Sequence, residues 1–201
     1  MVLVTLVRHG QSVYNFENRF TGDLDIPLTA HGELEAHNAG QKLKSFAYSI
    51  AFTSMLERAQ KSLDIILKEI GLTNIPVVKN SALDERKYGT LQGLNKADTI
   101  AQYGEAQVEL WRRSYAVRPP GGESLEDTAH RTLAYYHSAI EPGLNRKDNT
   151  LIVAHGNSLR ALMMYLENLS PEEIIKVELP TGSPRHYILD DRLRVEHVSF
   201  L

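Results

Sequence analysis

Cysteine is absent from this chain, and with it go disulfides, thiolate metal sites and a cysteine nucleophile. That absence agrees with a reducing compartment, so a cytoplasmic protein is expected. There is no excess of positive charge either: 22 Lys and Arg stand against 25 Asp and Glu, a formal net charge of -3. This balance argues against nucleic acid or an anionic membrane as a partner bound through bulk electrostatics. Any anion site must be a local cluster of basic groups. No apolar run approaches the length of a membrane span, and Arg8, His9 and Gly10 interrupt the apolar start too early for a secretion leader, so none is expected. No repeat, low-complexity tract or long linker divides the chain, and a single domain over residues 1–201 is expected, as a monomer or a homo-oligomer. What is present is a hydrophobic fraction of 42%, enough for a sizeable core, and a charged fraction of 23%, ordinary for a solvated surface.

Residues 2–7 are rich in β-branched side chains and apolar on both faces, as a strand in the middle of a sheet must be. Residues 150–154 and 49–53, each one residue shorter, read the same way. Helical periodicity fills the intervals. Thr29 caps a helix with Leu34, Ala36, Ala39, Gly40 and Leu43 on one face. Leu56, Ala59, Leu63, Ile66, Leu67 and Ile70 form a cleaner stripe that stops at Gly71. Ser124 and Asp127 open a helix along Leu125, Ala129, Leu133, Tyr136 and Ile140, expected to end at Pro142, and Ser170, Pro171 and Glu173 open another. Strands alternating with helices predict an α/β fold: a three-layer sandwich with a mostly parallel central sheet and helices on both faces. Residues 80–122 are poor in periodic apolar positions and rich in Arg, Glu, Gln and Tyr. They are expected to form an irregular, lid-like insertion over a site.

Two of the buried strands end alike, in Arg8-His9-Gly10 and in His155-Gly156-Asn157. Ligands of open α/β sheets bind at the carboxyl ends of strands, so both histidines are expected to face one crevice. One His-Gly is more often a turn; two in this position favour function. Arg8 adjoins His9, and a charge beside a buried strand needs a partner. Arg58 falls in the first turn of a helix, where free N–H groups already favour anions, although alone it reads as a solvated residue. Glu85 suits a general acid–base and equally suits an ion pair with an arginine. Lys96, Arg112 and Arg113 suit a second anion subsite and equally a basic surface patch.

The run Leu6-Val7-Arg8-His9-Gly10-Gln11-Ser12, with Asn15 and Phe20-Thr21-Gly22, resembles the signature of the histidine phosphatase superfamily, and more narrowly its cofactor-dependent phosphoglycerate mutases. The likeness continues in order through Thr53-Ser54, Arg58-Ala59, Glu85-Arg86, Tyr88-Gly89, Trp111-Arg112-Arg113, Gly122-Glu123-Ser124-Leu125, His155-Gly156-Asn157-Ser158-Leu159-Arg160 and Pro180-Thr181-Gly182. The resemblance implies a phosphoglycerate mutase-like fold and interconversion of 3-phosphoglycerate and 2-phosphoglycerate in glycolysis and gluconeogenesis. It implies 2,3-bisphosphoglycerate as primer and no metal. His9 would become the phosphohistidine, Glu85 would move the proton, and Arg8, Arg58 and His155 would complete the catalytic group. Asn15, Thr21, Gly22, Arg86, Tyr88, Lys96, Arg112, Arg113, Gly156 and Asn157 would bind substrate. The alternatives are a phosphatase that releases the same phosphohistidine to water and, of a different class, a non-catalytic binding domain.

The chain departs from the resemblance at Gln11, where a glutamate is usual beside the phosphate site, and at Asp23 and Lys87. It is also shorter between Arg113 and Gly122, and little follows Phe200. A site covered by residues 80–122 alone is therefore expected to leak more phosphate to water than one with a longer tail.

Overall fold

The computed structural model describes all of residues 1–201. Its six-stranded sheet comprises β1 (Val2–Arg8), β2 (Ile50–Thr53), β3 (Val77–Lys79), β4 (Thr150–Ala154), β5 (Pro184–Leu189) and β6 (Val195–Phe200), in the order β3-β2-β4-β1-β5-β6. The first four run parallel, and β5 and β6 add an antiparallel edge. Strand alternation divides the core into two layers. Val2, Val4 and Leu6 of β1, with Ile152 and Ala154 of β4, pack against α6 (Leu125–Tyr135) and α8 (Gly156–Leu166). Val7, Leu151 and Val153 point the other way, onto α2 (Ala30–Leu43) and α3 (Glu57–Ile70). The expected three-layer α/β sandwich is what forms.

The caps read from sequence are made. Thr29 accepts from the Gly32 N–H, Gly71 ends α3 at φ 73°, and Ser124 and Ser170 form reciprocal capping boxes with Asp127 and Glu173. Two details differ. Leu34, placed on the buried face of α2, is 54% exposed. Pro142 does not end its helix: α6 runs through a π turn at Tyr136–Ile140 into α7 (Glu141–Asn145), with Pro142 in the first turn of α7. Proline is tolerated there because that N–H has no helical acceptor to lose.

Residues 80–122 are more regular than their composition predicts. Between two short 3-10 turns and the Pro119–Gly122 turn lie α4 (Lys96–Tyr103) and α5 (Glu105–Arg113). Val108 and Trp111 of α5, three residues apart on one face, join Phe20 and Leu91 in a separate small core. With so few apolar positions per helix, periodicity carries little signal. Gly89, at φ 57°, packs where any Cβ would lie 2.1 Å from the Pro120 carbonyl oxygen, which ties the two ends of the segment together. The remaining short helices are α1 (Val13–Phe16) and α9 (Pro171–Ile174).

Candidate active site

The β1–β4 pair fixes the centre of the site. In its parallel register Arg8 lies opposite Ala154, and the His9 N–H donates 3.0 Å to the Ala154 carbonyl. The next residues of both strands, His9 and His155, therefore leave the sheet side by side, with ring centroids 4.9 Å apart. From here the chain goes to α2 on one face and to α8 on the other, so a crevice opens between the strand ends. Gly10 makes the turn possible: a Cβ there would lie 2.0 Å from the Gly32 carbonyl oxygen.

Both histidines are buried. His9 Nδ1 lies 2.6 Å from the Gly10 carbonyl oxygen, which can only accept, so Nδ1 carries the proton and Nε2 keeps its lone pair. Burial, then His155, Arg58 and Arg8, holds the His9 pKa well below 6.5 against the opposing pull of Gly10. Burial, then Arg58 and Arg8, does the same to His155. His9 is thus a neutral imidazole with a free ring nitrogen, as a nucleophile must be. His155 Nε2 sits 2.7 Å from the Ser54 hydroxyl, whose oxygen already accepts from the Leu56 N–H. His155 Nδ1 has no hydrogen-bond partner.

Arg58 spends two of its nitrogens on the Leu24 and Gly22 carbonyls, and Arg8 spends one on the Leu179 carbonyl; the Nε of each is buried and unpartnered. Three buried nitrogens without partners, His155 Nδ1 and the two Nε atoms, belong to side chains grouped around His9. Buried donors are rarely left unpaired, so the group fits a phosphate-sized anion.

Glu85 stands beside them. Its Oε1 accepts from the N–H of Arg86 at 2.9 Å and from both the N–H and the Nδ2 of Asn157 at 3.0 Å. Burial pushes this carboxyl up, but those donors with Arg8 and Arg58 outweigh it and hold the pKa below the usual range. Glu85 is ionised, anchored by one oxygen and free to exchange a proton through Oε2.

The crevice opens into a cavity of about 180 Å³. Arg8, Asn15, Thr21, Gly22, Glu85, Tyr88, Lys96, Arg112, Arg113, Gly156 and Asn157 all line it, bringing together most of the residues singled out above. His9, His155 and Arg58 lie behind that wall. Asn15 Oδ1 accepts from the Ser12 N–H, which leaves its amide donor for a ligand. Burial, then Arg112, lowers the Lys96 pKa, a sign of cations crowded together.

Arg86 is placed differently. It is fully buried, does not line the cavity, and donates to the Tyr88 hydroxyl at 2.7 Å and the Arg112 carbonyl at 3.2 Å, so any effect on a ligand passes through those residues. Gln11 also lies off the wall. It accepts from the Thr29 hydroxyl at 3.0 Å, while the acid at this position is Glu35, which takes the Gln11 N–H at 2.7 Å. The two remaining departures meet each other: Lys87 Nζ lies 3.8 Å from Asp23 Oδ2.

Sequence reasoning missed four wall residues: Arg160, Arg19, Phe20 and Glu178. For Arg160 a signal existed. It lies three residues after Asn157 on α8, hence on the same face, and donates to the Val177 carbonyl at 3.0 Å and to Asn157 Oδ1 at 3.4 Å. No three His, Asp or Glu side chains cluster as metal ligands would, and no helix is long and apolar enough to cross a membrane.

Residues 4–196 match the model of the histidine phosphatase superfamily, branch 1. The chain is 53% identical over 201 residues to a 2,3-bisphosphoglycerate-dependent phosphoglycerate mutase of Cytophaga hutchinsonii, covering 100% of this chain and 94% of the relative. It is 57% identical over 190 residues to one of the same name from Nitrobacter hamburgensis, covering 94% and 92%. Among solved structures, a mycobacterial glucosyl-3-phosphoglycerate phosphatase complexed with VO3 superposes with a TM-score of 0.83 at 26% identity, over 99% of this chain and 98% of that one.

Proposed function

The chain belongs to the histidine phosphatase superfamily, and from that membership we infer that it is an enzyme interconverting 3-phosphoglycerate and 2-phosphoglycerate, with 2,3-bisphosphoglycerate as primer. Relatives more than half identical along essentially the whole chain carry this reading. The cavity suits it chemically: six cationic side chains, Arg8, Arg19, Lys96, Arg112, Arg113 and Arg160, face two acids, Glu85 and Glu178. A ligand bearing both a phosphate and a carboxylate meets cations at each end.

The geometry supports the following roles. His9 Nε2 attacks phosphorus as the donor's P–O bond breaks, and the new P–N bond leaves His9 phosphorylated. Arg8, Arg58 and His155 stabilise charge on the equatorial oxygens, so fixed cations supply what phosphoryl transfer requires. In the forward half-reaction Glu85 Oε2 takes the proton of the substrate hydroxyl as that oxygen attacks phosphorus, and the P–N bond breaks. In the return half Glu85 gives the proton back to the leaving oxygen as the other phosphate passes to His9. Glu85 thus begins and ends ionised, in agreement with its lowered pKa. Residues 80–122 would act as cover, since they bring Glu85, Tyr88, Lys96, Arg112 and Arg113 to the wall. The alternative, a phosphomonoesterase acting on bisphosphoglycerate, shares the fold and the phosphohistidine, but relatives more than half identical along the chain carry the mutase name, and a simple monoester would leave Lys96, Arg112 and Arg113 without an anion.

The test is conversion of 3-phosphoglycerate with and without added 2,3-bisphosphoglycerate, and with EDTA, alongside labelling by the bisphosphate. Primer-dependent, EDTA-insensitive turnover and an acid-labile label lost in His9→Ala are expected. A His9→Ala variant with near-normal turnover would sink the mechanism.

A further inference from the structure

Three arginines from three separate elements converge on three consecutive residues. Arg160 of α8 donates to the Val177 carbonyl at 3.0 Å, Arg113 at the end of α5 to Glu178 Oε1 at 2.8 Å, and Arg8 at the end of β1 to the Leu179 carbonyl at 3.0 Å. All three arginines line the cavity, and so does Glu178. The two carbonyl contacts keep the backbone of this strap in place. The middle contact is of another kind, because it joins a carboxylate to one of the cations assigned to the ligand. Of the two acids on the wall, Glu85 is buried and anchored on Asn157, whereas the Glu178 side chain is 71% exposed and can swing away.

We propose that Glu178 is a specificity-determining residue, an internal counter-ion that holds Arg113 in the ligand-free enzyme and is exchanged for the distal anionic group of the substrate. The proposal rests on the function inferred above. Its consequence is selective. A small single anion at the distal end must compete with a tethered carboxylate, while a ligand already fixed by its phosphate at His9 presents its second anion at high effective concentration and displaces Glu178. Glu178 thereby disfavours single anions and keeps Arg113 pointing into the cavity.

The experiment is a double-mutant cycle of Glu178→Gln and Arg113→Ala, reading KM for 3-phosphoglycerate and inhibition by inorganic sulfate. Removing an exposed counter-ion should lower KM by about two- to fivefold and strengthen sulfate inhibition by a similar or larger factor. Both effects should shrink at high salt. In the Arg113→Ala background Glu178→Gln should have no effect, which a general change in surface charge would not reproduce. Glu172→Gln, on the neighbouring α9, serves as that charge control. Equal effects of Glu178→Gln in both backgrounds, or none in either, would overturn the counter-ion. If Arg113→Ala raises KM and Glu178→Gln does nothing, the counter-ion alone falls. If Arg113→Ala leaves KM unchanged, the distal grip itself falls, and the counter-ion with it.

Discussion

Two neutral histidines at the bottom of a cationic crevice make anion binding a protonation event. Without ligand, burial and two arginines hold His155 and His9 well below the usual histidine range. A bound anion adds negative charge beside them. At an effective dielectric of about 20, one unit charge roughly 4 Å away is worth about 4 kcal/mol, enough to act strongly on a neighbouring imidazole's proton affinity. A divalent anion therefore raises the proton affinity of the imidazoles beside it, against the burial and arginines that lower it. His155 is the one expected to gain the proton, because its orphaned Nδ1 and its Ser54 contact leave both ring nitrogens able to donate after a hydroxyl rotation. His9 must stay neutral to react.

Sulfate is the probe of choice, since it keeps its charge across the range and any proton taken up belongs to the protein. Calorimetric titration at pH 7.5 in buffers of different ionisation heat should give an uptake approaching one proton per sulfate. Affinity should fall with rising pH, by up to about tenfold per unit, because a complex that gains a proton is favoured by acid. His155→Asn should remove most of the uptake while leaving measurable sulfate binding through Arg8 and Arg58. Zero uptake together with a pH-independent affinity between pH 6.5 and 8.5 would refute the electrostatic account of the pocket.

Other outcomes follow from the same contacts. Asn157→Ala removes the Nδ2 donor to Glu85 Oε1; the Glu85 pKa should rise toward the usual range, shifting the acidic limb of the pH–rate profile upward and lowering kcat by about tenfold or more. An unmoved acidic limb would separate Glu85 from catalysis. Arg112→Ala should weaken phosphoglycerate by roughly ten- to a hundredfold and a small phosphoester far less; equal losses on both would place Arg112 outside the grip. In anion-free buffer, stability should be fullest above about pH 6.5 and fall below it, since His9, His155 and His186 are held down by burial and the unfolded chain binds their protons first. His186 is the structural case, bonded to Thr5 and packed on Phe46, so His186→Gln should flatten the decline in urea midpoint between pH 7.5 and 5.5.

The parts of the molecule legible in its sequence are those where local chemistry and tertiary structure agree. The β1 and β4 runs are apolar on both faces because helices cover both, and their caps and stops lie within a few residues of the groups they satisfy. Pairing at long range left weaker traces. The exposed edge strand β6 lacks the apolar run of a central strand, with Glu196 and His197 exposed along it. The π turn at Tyr136–Ile140 let a helix pass a proline that composition treats as a stop. In residues 80–122 a core of four buried side chains, shared with Phe20, was enough to order two helices that show almost no periodicity of their own.

The candidate site divides along the same line. Residues contiguous with strand ends, His9, His155 and Asn157, can be assigned to one crevice because β1–β4 register is the only fact needed to join them. The second layer depends on where side chains turn, and sequence is silent on that. Arg86 is buried behind the wall, with its Nη2 on the Tyr88 hydroxyl and the Arg112 carbonyl. Gln11 turns to Thr29, and the acid at its backbone comes from Glu35, two dozen residues away. Asp23 and Lys87, each unusual alone, pair with one another. A residue type therefore identifies the chemistry that a position can perform, and the buried polar partner decides whether it performs it. For arginines the deciding feature is the nitrogen left over: Arg8 and Arg58 satisfy the backbone with their outer nitrogens and retain a buried Nε in the anion pocket, so the same side chains that brace the strap and the Gly22 loop also make the pocket positive.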